Sequence, residues 1–509
     1  MSITPGAVST SHHLATDAGA RALRAGGNAI DAAIAAAAAL CVVYENNVAL
    51  GGDLVALVRD PQGKVHFVNA TGRAASGETL EALRERHGDE LPFRGIDTIP
   101  VPGGVRGWEA LAELGGRLGW RERLADALAY ARDGHPTARS VARAILRNRD
   151  LLAADAGASA VFLPDGEPLA EGDPLVQPAL ARTLEAIAEG GPGAFYEGEL
   201  ARAWVDGLRA LGSRISIDDV ASYRPRIEEP ISLRAFGVEV VTSPPNTQGF
   251  GLLRAVRAVE QNGIVDPLGA GAAELARAFA EANMVRARLL SDPEVSGIDA
   301  RRLMDAEASL DGPSRDVRPT GDTVGLVAVS EDGWAVSLVQ SVFKAFGAGI
   351  LEPRTGVLFQ NRGTSFSLDP AHPAVFTPGA RPPHTLMPVL VLRGGRLAHA
   401  QATMGGQGQA QIHTHLLLRL LAGASAIEAT SAPRWVVDSV ADGAATAPVI
   451  FETDAEATAR EALEAGPFDL TIVPPRDEAL GHSNVISVTV EGLDAASDPR
   501  SDGSAIVVR

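Results

Sequence analysis

The 509-residue sequence contains a single cysteine, Cys41, so no intrachain disulfide can form. Cys41 lies within the apolar run 36–43 and reads as buried packing. Aromatic residues make up only 5% and charged residues 21%, against 46% hydrophobic with abundant Ala and Gly. That composition describes a close-packed globular α/β protein, not a disordered chain. Basic tracts are also missing: 45 Lys and Arg face 63 Asp and Glu, for a net charge of -18, which argues against a nucleic-acid partner. Residues 1–13 lack both a basic n-region and an apolar h-region. No later run of about 20 apolar residues could span a bilayer, so a cytoplasmic protein without membrane contact is expected. There is no His-Glu-x-x-His, no cysteine pair and no Gly-rich phosphate loop with its lysine. His413 and His415 are two residues apart in an expected helix and so point to different faces. No metal or organic cofactor is predicted.

What is present begins with two helices split by Gly26-Gly27, the second, 28–40, nearly all alanine and therefore deeply packed. Leu50 to Asn69 reads as a hairpin about Asp60-Pro-Gln-Gly63. The middle, 105–290, is mostly helical by periodicity, with one strand-like interval from Ile231 to Thr242. From Thr323 strands dominate, interrupted by a helix over Gln411–Leu421, with further strands near Ile450, Leu470 and Ile486. Blocks of strands and helices suggest layered sheets covered by helices.

The chemistry concentrates at Gly321-Asp322-Thr323, where a hydroxyl residue opens an apolar strand after the polar run 311–320. Scission of the Asp322-Thr323 bond would give one residue both a nucleophilic hydroxyl and an α-amine of pKa roughly 8, able to act as general base. Strands 323–330 and 334–341 are joined by Glu331-Asp-Gly333. A three-residue loop there sets Thr323 opposite Ser341, within hydrogen-bonding reach, whereas a two-residue loop would pair it with Val342. Acyl transfer also needs oxyanion donors. Thr403-Met-Gly-Gly-Gln-Gly408, between a strand and a helix, offers Gly405 and Gly406. Loop arginines Arg73 and Arg362 are candidates for a substrate carboxylate. His384, beside Thr385, could orient substrate or satisfy a loop carbonyl.

Several segments together resemble the γ-glutamyltranspeptidase family of N-terminal-nucleophile hydrolases across nearly the whole chain. They are Ala18 to Ala33, Leu50-Gly-Gly-Asp53, Val101-Pro-Gly-Gly104, Phe195-Tyr-Glu-Gly198, Ser243-Pro-Pro-Asn246, Gly321-Asp-Thr323, Met404-Gly-Gly406, Ala432-Pro-Arg-Trp435 and Asp498 to Gly503. The resemblance implies a four-layer αββα sandwich made as a proenzyme. Cutting before the threonine would give a large chain, 1–322, and a small chain, 323–509, which stay associated as one intertwined domain, and two such heterodimers could pair. By the same resemblance Thr323 is the nucleophile, Ser341 its supporting hydroxyl, and Gly405 and Gly406 the oxyanion pair.

The implied substrate pocket departs from glutathione-cleaving members. They carry an acid at the position of Ser365 and a Ser-Ser pair at His384-Thr385, and their carboxylate-binding arginine falls on Thr71, with Arg73 two residues on. Asn361-Arg-Gly363 with Arg381-Pro-Pro-His-Thr385 is instead similar to the amidohydrolase and acylase branch, which includes oxamate hydrolases and cephalosporin acylases. The expectation is therefore a self-processing threonine hydrolase cleaving an acyl bond, an amide by preference, in a small acidic substrate. Its rivals are a genuine γ-glutamyl transpeptidase, a C-C bond hydrolase acting on an α-keto-acid side chain, and an unprocessed ligand-binding relative.

Overall fold

A computed structural model describes residues 3–307, 322–438 and 446–509. The run 311–320 and Gly321 lie outside the described residues. The alanine-rich segment forms the helix Ala29–Val43, buried at every position. Its start is fixed by a capping box: the Asn28 side-chain oxygen accepts the Ile30 and Asp31 N-H groups, and the Asp31 carboxylate accepts the Asn28 N-H. Asp31 is also paired with the buried Arg123 guanidinium at 2.8 Å. Small side chains let this helix lie close against both the His13–Arg24 helix and the sheet below.

Two antiparallel sheets form the centre. The first runs, in spatial order, Ser504–Val508, Gly6–Thr10, Asp322–Ser330, Ala335–Phe343, Asp53–Arg59, Val65–Ala70 and Arg226–Glu228. The second runs Gly492–Ser497, His482–Thr489, Arg396–Met404, Val389–Arg393, Val238–Thr242 and Ile231–Ala235. Val327, Val329 and Val339 of the first sheet pack against Leu390, Ala400 and Ala402 of the second. On its other face the first sheet presents Leu326, Ala328 and Leu338 to the alanine-rich helices. The second presents Val240, Val389 and Val391 to Leu252 and Val256 of the Gly249–Gln261 helix and to Leu417 of Gln409–Leu421. The molecule is thus the expected αββα sandwich. A strand covered on both faces reads as a continuous apolar run, which explains the sequence of Asp322–Ser330.

One sequence expectation is corrected. Ile231 to Thr242 is two strands, not one, turning at Phe236 and Gly237, which both take positive φ (50° and 74°). No helix among the described residues is long and apolar enough to cross a membrane.

Candidate active site

Ala335 pairs with Val329 and Gln340 with Val324, the register of the three-residue loop, until a bulge beyond Gln340 sets Phe343 against Asp322. The Thr323 and Ser341 hydroxyls lie 3.0 Å apart. Ser341 Oγ also donates to the Asp322 carbonyl at 2.8 Å and accepts the Phe343 N-H at 2.7 Å. With its single proton directed to that carbonyl, Ser341 must accept the Thr323 proton. The hydroxyl therefore bridges the threonine oxygen and the carbonyl one peptide before it. Asn47, which the sequence reading did not single out, donates its side-chain amide to the Thr323 carbonyl at 3.3 Å and is itself held by Asn46 at 2.7 Å.

The second sheet supplies the turn Met404-Gly405-Gly406. The two sheets meet closely because Gly325 has no side chain: a Cβ there would lie 2.6 Å from the Thr403 nitrogen. That contact carries the end of Arg396–Met404 toward the start of Asp322–Ser330. Gly405 has φ 150° and Gly406 φ 54°, backbone that L-residues rarely adopt. Among the described residues neither of their N-H groups donates a hydrogen bond. Gln248, another residue the sequence reading missed, donates to both the Gly406 and Thr385 carbonyls at 2.7 Å and so ties the glycine turn to the Arg381–Thr385 loop.

Arg362 is fully buried. Its guanidinium stacks on the Phe343 ring, 3.6 Å from the centroid, and donates to Thr385 Oγ1 at 3.0 Å. Burial pulls its pKa below the usual range, yet a guanidinium remains protonated at neutral pH. Among the described residues its Nε and the Ser365 hydroxyl have no hydrogen-bond partner. Arg362, Ser365, His384 and Thr385 line a small cavity of about 30 Å³ together with Arg286 and His372. No carboxylate is among its described lining residues. His384 points its Nε2 at the Asp53 carboxylate (3.1 Å) and accepts the Leu386 N-H on Nδ1, and burial lowers its pKa to about 4, so the ring is neutral. Asp53, opposite Ser341 in the sheet, is held as well by Gln360 at 2.7 Å and the Gly103 N-H at 3.2 Å. Arg73 stands apart from this group: its guanidinium is engaged by Glu294 at 3.2 Å and the Gly379 carbonyl at 3.0 Å.

Asp322 lies on the other side of the threonine. Its carboxylate accepts the Ala345 N-H at 2.7 Å. Burial raises its pKa, opposed by that hydrogen bond and by Lys344 and Arg94. Burial likewise lowers the Lys344 ammonium to about 7.

The family profile described as Gamma-glutamyltranspeptidase matches residues 15–508. The chain belongs to the γ-glutamyltranspeptidase family. It is 35% identical over 512 residues to the glutathione hydrolase-like YwrD proenzyme of Bacillus subtilis (strain 168), covering 97% of each chain. Identity to the oxamate amidohydrolase proenzyme of Klebsiella pneumoniae is 36% over 523 residues, covering 99% of this chain and 98% of that one. Among solved structures, the cephalosporin acylase from Bacillus halodurans matches with TM-score 0.89 and 30% identity over 100% of this chain and 96% of that one. As a member of the γ-glutamyltranspeptidase family with such relatives, the protein is an N-terminal-nucleophile-type enzyme, an amidohydrolase or acyltransferase acting on amide bonds.

Proposed function

We propose that the chain cuts its own Asp322-Thr323 bond and then works as an N-terminal-threonine amidohydrolase on a small acidic acyl substrate. The observation that carries this reading is the Ser341 hydroxyl, bonded at once to Thr323 Oγ1 and to the carbonyl of the bond to be broken. Thr323 Oγ1 attacks the Asp322 carbonyl carbon, its proton passes to Ser341, and the Ser341 proton goes to the carbonyl oxygen. Collapse breaks the C-N bond, protonates the leaving nitrogen and leaves an ester on Thr323. Water hydrolyses that ester to an Asp322 carboxylate and a free Thr323 α-amine. The fragments, 1–322 and 323–509, stay together because the first sheet is built from strands of both, with Asp322–Ser330 lying beside Gly6–Thr10 and Ala335–Phe343 beside Asp53–Arg59.

In turnover the α-amine takes the Thr323 hydroxyl proton as Oγ1 attacks the substrate carbonyl, and the Gly405 and Gly406 N-H groups hold the oxyanion. The leaving amine departs with that proton, and water releases the acyl group. Arg362, with Ser365 and Thr385, binds the acyl carboxylate. Arg73 is not assigned this task, because Glu294 already engages it. A γ-glutamyl group would bring an ammonium into a pocket bounded by Arg362 and Arg286, so the lining favours an acid without that amine. Intact-mass analysis of Thr323→Ala tests the reading: one full-length species is expected where the wild type gives two fragments. Two fragments from the variant would remove Thr323 from the role.

A further inference from the structure

The ladder between Asp322–Ser330 and Ala335–Phe343 is regular from Ala335 to Gln340 and shifts register between Gln340 and Phe343. The stretch that carries the Asp322-Thr323 bond is therefore not held by regular pairing, and other contacts must keep its carbonyl in line for attack. One is the Ser341 hydroxyl, 2.8 Å from the Asp322 carbonyl oxygen. The other comes from the side chain of the same residue, whose Oδ2 accepts the Ala345 N-H at 2.7 Å. We infer that the Asp322 carboxylate is a positioning group for self-cutting. Together with the Ser341 contact it pins the residue at two points, on either side of Phe343, and so fixes which face of the carbonyl meets Thr323 Oγ1. This rests on the self-cutting reading above and adds to it a requirement on the side chain ahead of the threonine.

The backbone that presents the Ala345 N-H is itself held firmly. Val342 and Phe346 donate their N-H groups to the Asn47 and Asn46 carbonyls at 3.0 and 2.8 Å, and the Lys344 N-H goes to Asn361 Oδ1 at 3.2 Å. Arg94 closes the turn: its Nη1 donates to the Ala345 and Gly347 carbonyls, each at 2.6 Å. An arginine far back in the sequence thus orients the N-H that anchors Asp322, which makes Arg94 a second positioning residue acting through that turn. Burial disfavours the Asp322 charge, and the Ala345 N-H with the charges of Lys344, Arg94 and Arg147 offsets that cost. The anchor is accordingly a charge-assisted hydrogen bond, about twice as strong as a neutral one.

Cell-free translation of the full chain, with the labelled precursor followed on a denaturing gel, tests this. Asp322→Ala should cut about thirtyfold more slowly than the wild type, and Asp322→Asn, which keeps an acceptor for Ala345, should recover to within about fivefold. Arg94→Met should slow cutting about tenfold, and adding it to Asp322→Ala should cost nothing more, because the anchor it orients is already gone. Wild-type cutting by Asp322→Ala overturns the inference, as does Asp322→Asn no faster than Asp322→Ala. Independent effects in the double variant, about three-hundredfold together, overturn it too. Thermal melting of the same substitutions in uncut Thr323→Ala protein separates position from fold: melting close to that of the parent is expected, and slowing that merely tracks a fall in melting temperature counts against the inference. These failures leave the Thr323 reading standing, whereas a wild-type chain that never cuts removes that reading first.

Discussion

Replacing Ser341 by Ala removes one oxygen that makes three contacts: 3.0 Å to Thr323 Oγ1, 2.8 Å to the Asp322 carbonyl and 2.7 Å from the Phe343 N-H. Losing one donor to a developing oxyanion costs about 3 kcal/mol of barrier, or about a hundredfold in rate. The Phe343 N-H, buried and left without an acceptor, costs a further ~1–3 kcal/mol of fold stability, a separate effect visible in the melting temperature. The rate is best read in cell-free translation, where a labelled full-length band converts to two fragments on a denaturing gel over time. Ser341→Ala should cut about a hundredfold more slowly than the wild type. Ser341→Thr, which keeps the oxygen, should cut at close to the wild-type rate and guards against a variant that merely fails to fold. Wild-type cutting by Ser341→Ala would refute the bridging role.

Other expected outcomes concern the turn, the pocket and the buried histidines. Gly405→Ala forces an L-residue to φ 150° and sets its Cβ 2.5 Å from Ile412 Cδ1, so kcat should fall by about a hundredfold as the oxyanion donors swing out of line. Arg362→Ala should raise KM for acidic acyl amides by about ten- to a hundredfold, the worth of a charged hydrogen bond, and Arg362→Lys should restore little because the stack on Phe343 is lost. Steady-state kinetics check both. His413 is buried, and burial lowers its pKa from 6.5 to about 3. Between those values the unfolded chain binds a proton that the folded chain excludes, so stability falls as pH drops below 6.5, by about 1.4 kcal/mol per unit for this one group. Denaturant titrations of His413→Gln between pH 6.5 and 4 should show a shallower loss than the wild type.

Layered sheets covered by helices were legible because buried strands and an alanine-rich helix leave long apolar signatures, as in 323–329 and 29–43, whereas the αββα order came with the family resemblance. The nearness of Thr323 to Ser341 was legible because the length of the loop between their strands fixes the hairpin register. The hairpin at Phe236-Gly237 was not, since an aromatic residue at positive φ is no turn signal. Long-range partners were hidden for a different reason. His384 meets Asp53 across 331 residues, and Gln248 reaches Gly406 across 158, so only the packed sheets reveal them. Asn47 carried no motif of its own. Arg73 and Arg362 looked alike in sequence, each an arginine in a loop, and only their neighbours, Glu294 for one and Phe343 for the other, separate them.

N-terminal sequencing of the shorter fragment in catalytically active protein addresses the central claim most directly. The account predicts a fragment beginning Thr323-Val324-Gly325. Active protein with the Asp322-Thr323 bond intact, or with a fragment starting at another residue, would contradict it.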